Sequence, residues 1–226
     1  MTTADLLNEI KEDINEVYEA GYQSFWDALT NNNNITADCR YLFYGEYWTD
    51  KAFKPPYAIK PNKNNNRYMF QESNITKVST KQIDFSEATT LRQTFVQSNV
   101  EEVEMVVDKA TLNATFDGVD TLKKLDLTVS DSTNYSNAFN GCSGLTDLTI
   151  NGTISKAGFD LTDCVYLSVE SIKSVLEACN KENANITITL PYYCIDGKTI
   201  TADICFTQLP NEYNAANANG YLISWT

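Results

Sequence analysis

Charged side chains occur at an equivalent position in each of several short apolar segments. They are the residues in this sequence whose type and spacing most suggest chemistry. Four segments have a charged residue directly before an aliphatic one, with signs that alternate along the chain: Lys77, Glu102, Lys124 and Asp147. Glu104 and Asp126 follow two positions later in the middle segments. On adjacent parallel strands the first row would form ion pairs worth ~0.2–1 kcal/mol each. The two added carboxylates could hold a cation, but two solvated carboxylates are the favoured interpretation, because exposed charges contribute little.

The other residues give little indication of catalytic activity. The 226 residues include no His, which removes Ser–His–Asp triads, histidine-ligated metals and imidazole acid–base chemistry. No phosphate-binding loop, dinucleotide-binding glycine motif or nucleophile elbow is present. A glycosidase carboxylate pair could be separated in sequence, but no pattern indicates one. We therefore expect no catalytic residue, no metal site and no cofactor.

Charge and hydropathy restrict the partners. The chain has 17 Lys and Arg against 30 Asp and Glu, a formal net charge of −13. Phosphate backbones require a basic surface, so nucleic acid is excluded as a partner. No apolar run approaches the roughly 20 residues that cross a bilayer, so we expect no membrane insertion. The first residues lack the positive and apolar regions of a secretory signal.

The six cysteines are widely spaced, without a C-x-x-C pair that would indicate a zinc or redox site. They are Cys39, Cys142, Cys164, Cys179, Cys194 and Cys205. An even number would suggest disulfides in a secreted chain. Because no export signal is evident, the favoured interpretation is that they are buried, reduced thiols acting as small apolar residues.

The elements that must position the charged residues are repeats anchored on phenylalanine. The anchors lie 25, 21 and 23 residues apart: Phe70, Phe95, Phe116 and Phe139. Each is followed by a turn and an apolar pair three residues apart, such as those that end in Leu125 and Leu148. Repeats of roughly 20–29 residues are typical of leucine-rich repeats. We expect each copy to supply one short parallel strand, with Phe and aliphatic residues in a shared core and charged residues outward.

The first 30 residues are predicted to form a helix for attachment or oligomerisation. Apolar residues recur there at three- and four-residue steps. The residues expected to make the contact are Leu7, Ile10, Ile14, Val17, Tyr18 and Phe25. This stripe could pair with copies of itself in a short coiled coil or dock on its own chain, and both alternatives stay open.

Two capping segments complete the predicted organisation. Residues 31–66, rich in asparagine, aromatic residues and proline, are expected to form an irregular cap before the repeats at 67–155. Residues 156–226 are expected to form a C-terminal α/β cap, with a helix that begins after Ser168 and strands at 185–190 and 221–225. Asp196-Gly197 indicates a hairpin. The predicted fold is thus α+β: an N-terminal helix, a short leucine-rich-repeat solenoid with a parallel strand ladder, and a C-terminal cap.

Two resemblances to known proteins add to this prediction. The segment Ala138-Phe139-Asn140-Gly141-Cys142-Ser143-Gly144-Leu145-Thr146-Asp147-Leu148-Thr149-Ile150 resembles the A-F-x-x-C-x-x-L-x-x-I-x-I pattern of BspA-type leucine-rich repeats. The runs Val17-Tyr18-Glu19-Ala20-Gly21, Phe25-Trp26-Asp27-Ala28-Leu29 and Trp48-Thr49-Asp50-Lys51-Ala52-Phe53-Lys54-Pro55 resemble the leader of repeat proteins encoded in phages and prophages of gut Firmicutes. The chain departs from that leader by lacking several residues between Gly21 and Phe25.

The resemblance implies a non-enzymatic structural or host-recognition protein of a virion, in the tail or baseplate region. It would assemble through its N-terminal helix as a homo-oligomer and contact other virion proteins or a host surface receptor. The outward strand residues, Lys77, Glu102, Glu104, Lys124, Asp126 and Asp147, would form the candidate binding surface. The alternative is an adhesin on the bacterial cell surface or a general protein-binding repeat module.

Overall fold

A computed structural model describes residues 39–45, 55, 57–64, 66–130 and 134–226. The helix predicted in the first 30 residues lies outside these residues. So do its expected contact positions, Leu7, Ile10, Ile14, Val17, Tyr18 and Phe25. The described chain is α+β, with parallel strands predominating and a few short helices.

A four-stranded parallel sheet lies at the centre, with its strands side by side in chain order. They are β1 (Lys77–Val78), β2 (Glu102–Val107), β3 (Lys124–Val129) and β4 (Asp147–Gly152). Buried and accessible residues alternate along β2 and β3, and the accessible ones are polar except for Val106, so one face of each strand belongs to the core. Leu125 and Leu148 lie on the buried face, at 0% and 2% exposure.

Strand β1 is shorter than the repeat pattern predicts. The pattern extends the first copy to Thr80, but the strand ends at Val78. Ser79 turns away from the sheet because its carbonyl accepts the N–H groups of Gln82 and Ile83, at 2.9 and 3.0 Å. Its own N–H donates to the Gln82 side chain at 2.8 Å. A local turn therefore replaces the ladder bonds that would have continued the strand.

Opposite the sheet, phenylalanine rings stack inside a series of turns. Phe70, Phe95, Phe116 and Phe139 are all buried, with successive ring centroids 5.3, 5.4 and 6.2 Å apart and planes within 8° of parallel. Phe43 stacks on Phe70 at 5.0 Å. Its segment was predicted to be an irregular cap, and the structure instead gives it the same turn as the four repeats. We call the five the Phe turns.

The Phe turns share a backbone conformation. The residues two before and two after each Phe have positive φ, between 52° and 71°, in all five turns. Glycine occupies the second position in three turns, at Gly45, Gly118 and Gly141, whereas Glu72 and Gln97 adopt it in the others. The N–H of each of the first four Phe residues donates to the carbonyl of the residue before the next Phe, at 2.8–3.0 Å. The turns thus form their own hydrogen-bonded ladder.

The C-terminal part holds the predicted helix and strands together with elements that the sequence pattern did not predict. Helix α1 (Val169–Ala178) begins after Ser168, whose hydroxyl accepts the Ser171 N–H at 3.2 Å, as predicted. Strands β5 (Phe159–Asp160), β6 (Ile186–Leu190) and β9 (Tyr221–Trp225) form a parallel sheet, and β7 (Tyr193–Cys194) pairs antiparallel with β8 (Thr199–Ile200). Helices α2 (Thr201–Thr207) and α3 (Pro210–Ala218) and strand β5 were missed.

Helix α1 lies against the open edge of the central sheet. Two of its serine hydroxyls accept backbone N–H groups of β4: Ser171 from Leu148 and Ser174 from Ile150, both at 2.8 Å. Hydroxyl groups therefore satisfy donors that a fifth strand would otherwise have paired.

Within the described ranges, no helix has both the length and the apolar character needed to cross a bilayer.

All six cysteines are free thiols in buried surroundings, as the sequence analysis favoured. Burial raises the pKa of Cys142 to about 12, with the nearby charges of Asp117 and Asp163 adding to the shift. Burial also raises the pKa of Cys179 to about 12 and that of Cys205 to about 11. These thiols therefore serve as small core side chains and are not activated nucleophiles.

Candidate functional site

The outward side chains of β1–β4 form one surface, which we call the strand face. Its first row is Lys77, Glu102, Lys124 and Asp147, which are direct register partners across the four strands. This is the register that the repeat alignment predicts. The strands are consecutive and parallel, so each charged side chain lies beside one of opposite sign.

The ion pair at the β1 end of this row is the closest. Lys77 Nζ lies 2.6 Å from Glu102 Oε2, with the two side chains 62% and 47% exposed. The hydrogen bond from Lys77 and then its charge lower the pKa of Glu102, and Lys124 adds a smaller effect in the same direction. A lowered pKa keeps Glu102 ionised at neutral pH, which suits charge pairing rather than proton transfer.

A second ion pair lies one residue before the strands. Lys123 Nζ is 2.7 Å from Glu101 Oε2. This pair was not predicted, because Glu101 and Lys123 lie just outside the alternating positions of the strands. Glu101 and Lys123 directly precede Glu102 and Lys124, so the repeat alignment itself carried the information. Together the two pairs give this end of the sheet a densely charged rim.

The second row of the strand face sets two carboxylates beside each other. Glu104 and Asp126 are register partners, as predicted. Each has a neutral donor: the Thr80 hydroxyl donates to Glu104 at 2.8 Å, and the Asn151 amide donates to Asp126 at 2.7 Å. These donors offset part of the repulsion between the carboxylates. The favoured interpretation, exposed carboxylates with polar neighbours, is consistent with this geometry.

A shallow groove of about 120 Å³ crosses the strand face. Five of the six predicted binding residues line it, with Asp147 outside: Lys77, Glu102, Glu104, Lys124 and Asp126. Beneath it, Val103 and Leu125 are buried in the core. The strands under the groove pair with one another, and their buried side chains share one hydrophobic core with the Phe rings. The strand face is thus a mixed-charge surface that lies over buried aliphatic side chains.

Two features away from the strand face were not predicted from the sequence. One is the turn at Phe43, which the shared Tyr-x-Phe of Tyr41–Phe43 and Tyr68–Phe70 could have indicated. The other is a polar pocket beyond the last Phe turn, lined by Asn137, Phe139, Asn140, Asp160, Thr162 and Asp163. No motif marks this pocket, because its walls come from the repeats and from the segment that follows them.

Comparison of the chain with protein-family models, curated proteins and solved structures gives no match.

Proposed function

We propose that this chain is a non-enzymatic leucine-rich-repeat protein associated with a virion, in the tail or baseplate region, and that the strand face is its binding surface. The observation that carries the proposal is the in-register strand face above the stacked Phe turns. The resemblance of residues 1–61 to phage and prophage leaders supplies the virion association.

The solenoid part of the proposal rests on the equivalence of successive copies. A single turn of about 20–29 residues cannot bury its own apolar face, so such turns are stable only when stacked. Here strands pair with the strand of the next copy, and Phe rings stack on the ring of the next copy. The proposed organisation keeps a helix at 1–30, repeats through 155 and a cap at 156–226, with a further repeat turn at Phe43 inside 31–66.

The strand face favours a partner with exposed cationic groups. Its six predicted residues comprise two lysines and four carboxylates, and the lysines lie beside carboxylates of the first row. Glu104 and Asp126 then remain as a pair of adjacent negative charges. A Lys or Arg of another virion protein or of a host receptor placed between them would gain charge-assisted hydrogen bonds.

Fractionation tests the virion association. Particles released from the host after prophage induction should contain the chain at constant stoichiometry through density-gradient purification. Recovery on the cell surface, and not in particles, would contradict the proposal and favour the adhesin alternative. A particle-bound chain with Glu104→Lys and Asp126→Lys should assemble but lose its strand-face partner. Glu87→Lys with Glu182→Lys, at two exposed positions outside the strand face, adds the same charge and serves as the control.

Light scattering on the full-length chain tests the proposed oligomerisation helix. The unmodified protein should have the mass of an oligomer, and Ile10→Asp with Ile14→Asp should reduce it to a monomer, because buried charges are costly in a helical interface. Lys11→Gln, on the opposite face of the predicted helix, should leave the mass unchanged. A monomeric unmodified chain would refute self-association through this helix.

A further inference from the structure

The hydrogen-bonded ladder of the Phe turns stops at Phe139. The N–H groups of Phe43, Phe70, Phe95 and Phe116 donate to a carbonyl of the following turn at 2.8, 2.8, 2.9 and 3.0 Å. The Phe139 N–H has no acceptor among the described residues, although Phe139 is only 1% exposed. An N–H group that meets no acceptor of its own chain can donate to water or to a ligand that enters from outside.

The Phe139 N–H lacks an acceptor because of the path that the chain takes after the last Phe turn. Gly158 packs against Ser136 so closely that an added Cβ would lie 3.2 Å from the Ser136 nitrogen. The chain then leaves the stack, because the Leu161 N–H donates to the Thr189 carbonyl of the second sheet at 2.9 Å. No carbonyl of the following segment reaches the Phe139 N–H, so the place that such a carbonyl fills in the other turns opens into a pocket.

At Gly141, a side chain supplies the acceptor that a further turn would have supplied. The Gly118 N–H donates to the Asn140 carbonyl at 2.9 Å, and the equivalent Gly141 N–H donates to Asp163 Oδ2 at 2.7 Å. With Asp163 on one side and the segment at Gly158 on the other, an extended peptide could not add as a further turn. The position opposite the Phe139 N–H is therefore a ladder position that no group of the described residues fills.

The pocket itself, which we call the end pocket, is small and polar. It encloses about 220 Å³ and is lined by Asn137, Phe139, Asn140, Asp160, Thr162 and Asp163. Pockets for drug-sized ligands enclose roughly 300–1,000 Å³, so this one suits a single sugar residue better than a longer ligand. Asp160 uses Oδ1 to accept the Thr162 N–H and hydroxyl, at 2.9 and 2.6 Å. Within the described part of the chain, Asp160 Oδ2 and Asp163 Oδ1 accept no hydrogen bond.

These groups define the chemistry of a ligand. Phe139 offers an unpaired N–H in the place where the other turns bind an amide carbonyl, so an amide carbonyl is the matching acceptor. The carboxylates of Asp160 and Asp163 require donors, which hydroxyl groups supply, and their two negative charges disfavour an anion. We propose that the end pocket binds a neutral acetamido sugar, with its amide carbonyl on the Phe139 N–H and its hydroxyl groups on Asp160 and Asp163.

This site lies outside the strand face and goes beyond the proposed function. It concerns a small ligand, whereas the strand face concerns a protein partner. Loss of sugar binding in the experiments below would leave the strand-face proposal unchanged, and failure of particle association would leave the end pocket unchanged.

Amide-resolved NMR of the full-length chain tests the proposal, with N-acetylglucosamine as the probe. The Phe139 amide resonance should shift saturably on titration and should exchange with solvent more slowly when the sugar is bound. Glucose, which lacks the acetamido group, should bind more weakly. Sodium acetate, which presents a carbonyl oxygen with a negative charge, should leave the resonance unchanged.

Two isosteric variants test the carboxylates. Asp160→Asn and Asp163→Asn retain an oxygen for the Thr162 and Gly141 donors, so the fold should be preserved, and each should weaken N-acetylglucosamine binding by roughly tenfold or more. Asp120→Asn, which lies outside the pocket, should bind as the unmodified protein does. An unchanged Phe139 resonance at saturating N-acetylglucosamine, or an equal response to acetate, would overturn the proposal.

Discussion

The ring of Phe43 lies on the ring of Phe70, with centroids 5.0 Å apart and planes inclined by 18°. The Phe43 N–H donates to the Met69 carbonyl at 2.8 Å, the same bond that links the later turns. Phe43 is therefore a member of the repeated core, even though the strand that follows it in the other copies is not among the described elements. Phe43 adds a fifth ring to the stack and covers one face of the Phe70 ring.

Phe43→Ala should lower the free energy of unfolding by ~3–5 kcal/mol, because a buried aromatic side chain is removed from a close-packed stack. Leu222 provides a control, since it is 63% exposed, and Leu222→Ala should cost less than about 1 kcal/mol. Urea denaturation monitored by circular dichroism measures both. Equal losses for the two variants would contradict the place of Phe43 in the core.

Asn66→Leu should stabilise the protein. Asn66 stands four residues before Phe70, where Leu91 precedes Phe95 and Leu112 precedes Phe116, and all three are 0% exposed. Its side-chain amide makes no hydrogen bond to the described residues, and an unsatisfied buried polar group costs ~1–3 kcal/mol. Leucine has a similar branched shape, so the expected gain is of that order. The reciprocal change, Leu91→Asn, should destabilise, and a loss of stability in Asn66→Leu would show that the amide has a structural role.

The pKa of Glu102 should depend on Lys77. The Lys77 hydrogen bond and charge lower that pKa from its ordinary value of 4.5, so Lys77→Met should raise it towards 4.5, with Lys124 retaining part of the shift. A carboxyl whose pKa is lowered on folding adds stability above its unfolded pKa, and this is lost as the pH falls through the folded value. Because the pair is exposed, the effect on stability should stay below ~1 kcal/mol.

Carboxyl ¹³C resonances followed against pH measure the Glu102 titration directly. Lys109→Met removes an exposed lysine that lies 3.9 Å from Asp108 and should leave Glu102 unaffected. An identical Glu102 titration in Lys77→Met and in the unmodified chain would refute the ion pair in solution.

The thiols should react slowly in the folded protein. Burial raises the pKa of Cys142 and Cys179 to about 12, so almost no thiolate forms at pH 8, and access is blocked as well. A chromogenic disulfide reagent should label few thiols in the native chain and six after unfolding in guanidinium without reductant. Rapid labelling of the native protein would contradict the buried environment, and fewer than six thiols after unfolding would indicate disulfides.

The sequence by itself determined the central sheet and its register. Side chains alternate between the two faces of a strand, and successive copies place aliphatic residues at equivalent positions. The alignment of Leu125 with Leu148 therefore also fixed Lys124 beside Asp147. The same holds for the N-cap at Ser168 and the hairpin at Asp196-Gly197, where local backbone chemistry decides the conformation.

Only the tertiary structure decided where the repeated pattern begins and ends. The Phe43 turn lies in a segment rich in proline and asparagine, where no strand pattern is visible. Its place in the core becomes evident only from the stacking of Phe43 on Phe70. The end pocket exists because Leu161 pairs with Thr189, a contact between residues far apart in the chain, which carries the backbone away from Phe139. Helix α2 buries Thr201, Ile204 and Cys205, and helix α3 buries only Ala216. These series are too short to show a helical period in the sequence, so packing against neighbouring elements fixes both helices.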